Sequence, residues 1–171
     1  MEVKRTFDLL ENLVTQYPKD DILSRKFNGK WIRYSCKDYY EYSHKLAYAF
    51  LSIGLKKEDK VIAICANRPE WNFIDMGLTL ANLIYVPVYT TMSNEDYKHI
   101  FNHSDAKVII LGNETLVKKL VPFIEKADHP IKVYTLDHVE GYESIDDLYK
   151  LGEENASKYE EAIKKKDIIR P

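Results

Sequence analysis

An α/β fold with a parallel sheet is predicted by three features of this 171-residue chain. Short β-branched runs alternate with amphipathic segments of about 10–15 residues, the pattern of repeated βαβ units. The run Val61–Cys65 is apolar throughout, as in a strand covered on both faces. An Asn-Gly pair near the start marks a hairpin ahead of these units.

In chain order, Thr6 to Tyr17 carries Phe7, Leu10, Leu13 and Val14 at helical spacing and is closed by Pro18. Ile22–Phe27 and Trp31–Tyr34 flank Asn28-Gly29-Lys30, and a type I′ turn needs positive φ at both central residues. Ser35 with Asp38 opens the next helix as a capping box. Tyr39, Tyr42, Leu46, Ala49, Phe50 and Ile53 form its stripe, and Gly54 supplies the left-handed stop. Val61–Cys65 is the first core strand. Pro69 suits the first turn of a helix that is apolar nearly all round from Trp71 to Ala81, so it should be buried, with Asn82 as its left-handed end. Ile84–Val88 is a second strand, which Pro87 confines to an edge or end. Ser93 and Asp96 frame a helix bearing Tyr97, Ile100 and Phe101. Lys107–Leu111 is the third strand, Thr115–Lys126 a helix, and Ile131–Thr135 the fourth strand. Ser144 to Arg170 reads as a charged helical extension. The ending Ile168-Ile169-Arg170-Pro171 reads as a cut, with nothing to receive the apolar pair.

The composition excludes several classes. With 25 basic and 27 acidic residues the net charge is −2, and no overall field favours nucleic acid. Cys36 and Cys65 make no metal or redox motif and are read as reduced, mostly buried residues of a cytoplasmic protein. No apolar run approaches the ~20 residues needed to span a bilayer, and Met1–Phe7 resembles neither a signal nor a transit peptide. The thirteen tyrosines are read mostly as amphipathic core lining.

Motifs for chemistry are sparse. Gly29, Gly54, Gly77, Gly112, Gly141 and Gly152 are far apart, so there is no Walker loop, dinucleotide fingerprint or nucleophile elbow. His99 and His103 share helical spacing, but no third imidazole or carboxylate is placed to complete a metal site with them. Asp20-Asp21, Glu58-Asp59 and Asp146-Asp147 are read as solvated loop charges. Lys118-Lys119 and Lys164–Lys166 would attract phosphate but read first as wet helix faces.

One long constellation is specific. It runs Trp31–Tyr39, then Asp59–Trp71 with Asn67-Arg68-Pro69-Glu70-Trp71 at its end, then Tyr85-Val86-Pro87-Val88-Tyr89-Thr90-Thr91, then His99–Ile109. In that order and spacing it resembles the N-terminal part of AMP-forming acyl-CoA synthetases, and within the adenylate-forming superfamily most of all the long-chain fatty acid–CoA ligases. The family usually shows Gly-Ala before the second strand, where Asn82-Leu83 stands here.

The resemblance implies parallel-sheet βαβ layers with helices on both faces behind a β-hairpin, the incomplete N-terminal part of the family's large domain. On that reading residues 1–171 are the N-terminal portion of the AMP-binding domain: 5–35 the helix and hairpin, 36–143 the βαβ core, and 144–171 the extension toward a phosphate loop expected after Pro171. Asn67 is expected to cap its turn, Glu70 to sit at the positive helix end, and Trp71 to anchor the buried helix.

The whole enzyme would use ATP, Mg2+ and CoA to convert a fatty acid to an acyl-adenylate and then an acyl-CoA. No catalytic residue is expected in this segment, which is read as inactive alone and without bound cofactor. Lys118 and Lys119 occupy the neighbourhood where basic residues of related ligases approach the 3′-phosphate of CoA. Cut surface would favour self-association, and peripheral contact with a membrane is compatible with the class. The competing reading is a stand-alone α/β binding or regulatory module that docks a partner along the sheet edge near Pro87.

Overall fold

The computed structural model describes residues 5–164; the segment 165–171, read above as the end of the charged helix, lies outside the described residues. Helix α1 (Thr6–Gln16) precedes strands β1 (Leu23–Phe27) and β2 (Lys30–Tyr34), which pair antiparallel with Phe27 opposite Lys30. Asn28 and Gly29 have φ of 48° and 79°, the positive values the turn demands.

Helix α2 (Cys36–Ser52) starts with the expected box. The Ser35 hydroxyl accepts from the Asp38 N–H, and the Asp38 carboxylate accepts from the Ser35 N–H at 2.7 Å. Then follow β3 (Lys60–Ile64), α3 (Pro69–Leu80), β4 (Ile84–Val88), α4 (Asn94–His103), β5 (Val108–Leu111), α5 (Glu114–Ile124) and β6 (Lys132–Thr135). Gly54 and Asn82 take the left-handed conformation, at φ 91° and 57°.

Two differences from the sequence reading concern the last part of the chain. A two-residue strand, β7 (Glu143–Ser144), adds to the sheet, too short to carry a period. The extension is two helices, α6 (Ile145–Glu154) and α7 (Ala156–Lys164), separated at Asn155.

The sheet is parallel with order β4-β3-β5-β6-β7. Alternate side chains serve two cores. Val61, Ala63, Val108, Ile110 and Tyr134 pack under α1, α2, α3 and α6, while Ile62, Ile64, Ile109 and Leu111 pack under α4 and α5. Both faces of β3 and β5 are thus covered, which is why their sequences are apolar without alternation. Pro87 lies on the edge strand, where it removes no bond from the ladder to a further strand within the described residues.

Close approach fixes the helical layer over the first core. A Cβ on Gly152 of α6 would lie 1.9 Å from the Lys45 carbonyl oxygen of α2, and one on Gly77 of α3 would lie 2.8 Å from Leu46 Cβ. Only glycine lets these backbones meet as they do.

The acidic pairs have local tasks. Asp147 accepts from the Ser144 N–H and hydroxyl at 2.7 and 2.9 Å, capping α6. Asp59 accepts from the Lys56 N–H at 2.7 Å, and Asp21 lies 3.6 Å from Arg33. They are exposed or half-buried, but Asp147 and Asp59 are turn and cap residues rather than merely solvated charges.

Candidate functional site

Open parallel sheets bind ligands outside the carboxyl ends of their strands, where successive connections leave in opposite directions. Here that point lies between β3, which feeds α3 on one face, and β5, which feeds α5 on the other. It is closed. The Gly112 N–H donates to the Ile64 carbonyl at 2.9 Å, and a Cβ at Gly112 would meet Cys65 Cβ at 2.9 Å and Cys65 Cα at 3.1 Å. Backbone and the Cys65 side chain fill the crevice. Burial pushes the Cys65 thiol up to about 11, so it is not a thiolate nucleophile near neutral pH.

A cleft opens on each side of this closed point. The smaller, about 290 Å³, is lined by Cys65, Asn67, Trp71, Pro87, Val88 and Tyr89. Trp71 meets Tyr85 edge-on at 5.2 Å, and Tyr89 is 81% exposed. Tyr97 from α4 donates its hydroxyl to the Tyr89 carbonyl at 2.8 Å, which holds the loop carrying Thr90 and Thr91. Two expectations change here. Arg68, not Asn67, occupies the N-cap of α3 and makes no side-chain cap bond, while Asn67 is exposed. Trp71 is half-exposed and forms a cleft wall; the buried anchors of α3 are Phe73, Ile74 and Leu78.

The larger cleft, about 470 Å³, lies between the hairpin and the loop after β6. Its lining includes Arg25, Tyr34, Arg68, Glu70, Asp137 and Tyr149. Arg68 grips Glu70 with two N–H donors at 2.9 Å each and reaches Asp137 at 2.8 Å. Arg25 from β1 stands 3.2 Å from the same Glu70 carboxylate. The side chains of Glu70 and Arg68 are only 7% and 13% exposed. Burial acts to raise the Glu70 carboxyl, but the Arg68 donors and charge, with Arg25, outweigh it and hold the group below its ordinary value. Burial opposes the charge on Arg68, and Glu70 and Asp137 more than restore it. Glu70 does sit at the positive end of α3, as expected. Its larger role, legible only in three dimensions, is to join hairpin, helix and β6 loop.

Helix N-termini along this edge are ready anion sites only if left free. Each already has a carboxylate in its first turn: Glu70 in α3, Glu95 and Asp96 in α4, Glu114 in α5, and Asp146 and Asp147 in α6. Lys118 and Lys119 are exposed on α5. Lys118 pairs with Glu114 at 2.6 Å, and the Lys119 ammonium lies 4.9 Å from the Tyr97 ring centroid. His99 and His103 are exposed on α4 with ring centroids 5.2 Å apart. Among the described residues no three His, Cys, Asp or Glu side chains are grouped to hold a metal ion, and no helix is long and apolar enough to cross a membrane.

Comparison with known proteins agrees with this architecture. Residues 10–169 match the family described as AMP-binding enzyme. The chain is 31% identical over 114 residues to the long-chain-fatty-acid–CoA ligase ACSBG1 of Rattus norvegicus, which covers 67% of this chain and 16% of the relative. It is 29% identical over 142 residues to the fatty acyl-CoA synthetase A of Dictyostelium discoideum, covering 77% of this chain and 21% of the relative. Two solved structures share the fold. A benzoate CoA ligase from Burkholderia xenovorans has TM-score 0.69 and 14% identity, covering 86% of this chain and 28% of that one. The A-PCP didomain of a carboxylic acid reductase from Segniliparus rugosus has TM-score 0.71 and 16% identity, covering 95% and 25%. The chain spans only about a sixth to a fifth of the length of these curated relatives. With the match running through its hairpin, its sheet and the helices on both faces, the chain belongs to the AMP-binding enzyme family and resembles the N-terminal part of an acyl-CoA ligase.

Proposed function

We propose that this chain is the N-terminal scaffold of a long-chain fatty acid–CoA ligase and has no adenylating activity alone. The complete protein would join a fatty carboxylate to the α-phosphate of ATP, releasing pyrophosphate, and then pass the acyl group to the CoA thiol, releasing AMP. The observation that carries this reading is the family match over residues 10–169 to relatives of which the chain spans a minor share. Residues 1–171 would be the N-terminal portion of the AMP-binding domain, with 5–35 as helix and hairpin, 36–143 as core and 144–171 as the connection toward a phosphate loop.

The chemistry of the edge supports the scaffold role. Building negative charge on a pyrophosphate leaving group needs cations and oriented N–H donors around it. Here the first turn of each helix at the carboxyl edge holds a carboxylate, and the guanidiniums of Arg68 and Arg25 face Glu70. Nor do Glu70 and Asp147 fit Mg2+, since Glu70 is paired with arginine and Asp147 with Ser144. In the complete enzyme, Lys118 and Lys119 would offer two ammonium groups to the 3′-phosphate of CoA. The test is thermal unfolding of the chain with millimolar ATP. An unchanged midpoint is expected, and a rise of several degrees would show a nucleotide site in these residues and overturn the reading.

A further inference from the structure

His99 and His103 stand apart from the other histidines whose ring contacts are known. His44 Nδ1 lies 2.8 Å from the Tyr40 carbonyl and His129 Nε2 3.0 Å from the Ala106 carbonyl, so each has a nitrogen committed to backbone. His99 and His103 are exposed, and among the described residues neither ring has a hydrogen-bond partner. Their centroids lie 5.2 Å apart with planes 11° from parallel. Helix α4 sets this spacing: residues four apart stack on one ridge, and Tyr97 and Phe101, both buried, seat the opposite side in the core.

We propose that His99 and His103 form a two-imidazole clip for a divalent transition-metal ion of the zinc class. Imidazole is a preferred ligand of Zn2+, Ni2+ and Cu2+. Two imidazoles bound to one tetrahedral ion through bonds of about 2.0–2.1 Å have ring centroids about 5 Å apart. The rings therefore already have the required separation. Rotation about χ2 turns one nitrogen of each toward the shared ion with no movement of the backbone. With no third protein ligand grouped there among the described residues, water completes the shell, which makes the clip exchangeable rather than a structural zinc site.

Its consequence reaches the carboxyl edge. An ion held across consecutive turns stabilises α4, and the Tyr97 hydroxyl of that helix holds the loop after β4 through the Tyr89 carbonyl. Occupancy of the clip would thereby steady the wall of the smaller cleft.

The experiment is calorimetric titration of the 171-residue chain with zinc chloride in a non-chelating buffer. It is repeated on H99N, H103N and, as control, H129N, with circular dichroism confirming each fold. One site is expected in the wild type. Losing either ring should weaken it on the order of 10²-fold, because the second imidazole binds intramolecularly, and H129N should bind as the wild type does. Saturating zinc should raise the wild-type unfolding midpoint and leave those of H99N and H103N unmoved. Absence of a wild-type site, or binding unchanged in H99N or H103N, would overturn the clip. The readout is independent of any ligase activity, so it separates this inference from the proposed function.

Discussion

Replacing Gly152 with alanine probes the close crossing of α2 and α6. The added Cβ would sit 1.9 Å from the Lys45 carbonyl oxygen, 2.7 Å from its carbon and 3.0 Å from Lys45 Cα. The first distance is about 1.5 Å closer than ordinary contact, on a repulsive wall that rises steeply. All three atoms are backbone in the middle of α2, so no rotamer change relieves the clash and α6 must move away. That movement opens the packing of Ile145 and Leu148, which are 3% and 1% exposed, against α2. It also stretches the 3.0 Å Lys45–Glu153 pair, a surface contact of small worth. Alanine's better helix propensity returns up to ~1 kcal/mol, against an overpacking cost of about 3 kcal/mol or more. A net loss of about 2–4 kcal/mol lowers the midpoint by roughly 5–15 °C for a chain of this size. Gly141→Ala is the control: φ is 84° but no atom lies within 4 Å of the new Cβ, so only backbone strain of about 1 kcal/mol is added. Thermal unfolding followed by circular dichroism compares the two. A Gly152→Ala midpoint equal to or above that of Gly141→Ala would refute the close crossing of α2 and α6.

The buried charge network gives a pH prediction. Glu70 is held below its ordinary value in the folded chain, so its contribution is complete above the unfolded glutamate value of about 4.3 and drains away as pH falls through the folded value. Glu70→Gln should cost about 2–3 kcal/mol at pH 7, since Arg68 keeps Asp137 but Arg25 loses its anion. The gap between variant and wild type should close toward pH 3 in urea titrations, and a gap constant from pH 7 to 3 would contradict the assignment. In the complete ligase, replacing Lys118 and Lys119 together with glutamine should raise KM for CoA several-fold while leaving KM for dephospho-CoA unchanged; equal effects on both would remove the phosphate contact.

Much of this architecture was legible because it is local. Asn28-Gly29 announces two positive φ values, Ser35 with Asp38 announces a reciprocal cap, and Pro87 announces an edge, each from the stereochemistry of a few adjacent residues. The apolar run at 61–65 betrays burial on both faces. What escaped is what depends on distant pairing. Arg68 and Asp137 are 69 positions apart, so their ion pair leaves no mark on either segment, and Glu70 alone reads only as a helix-end acid. β7 has two residues, too few to show alternation. Gly112 carries no local sign that it closes the crevice against Cys65, and Trp71 looks like a core anchor until its neighbour across the turn proves to be an edge strand. The clefts themselves, assembled from the loops after β3, β4 and β6 with the hairpin and neighbouring helices, had no sequence signature at all.

On the function proposed above, these residues build the platform and leave the adenylation to the rest of a complete ligase. ATP–pyrophosphate exchange, measured on the purified 171-residue chain with palmitate, ATP and Mg2+, tests it most directly. Exchange no faster than in a protein-free control is expected. Exchange that depends on palmitate and rises with the concentration of the chain would contradict it.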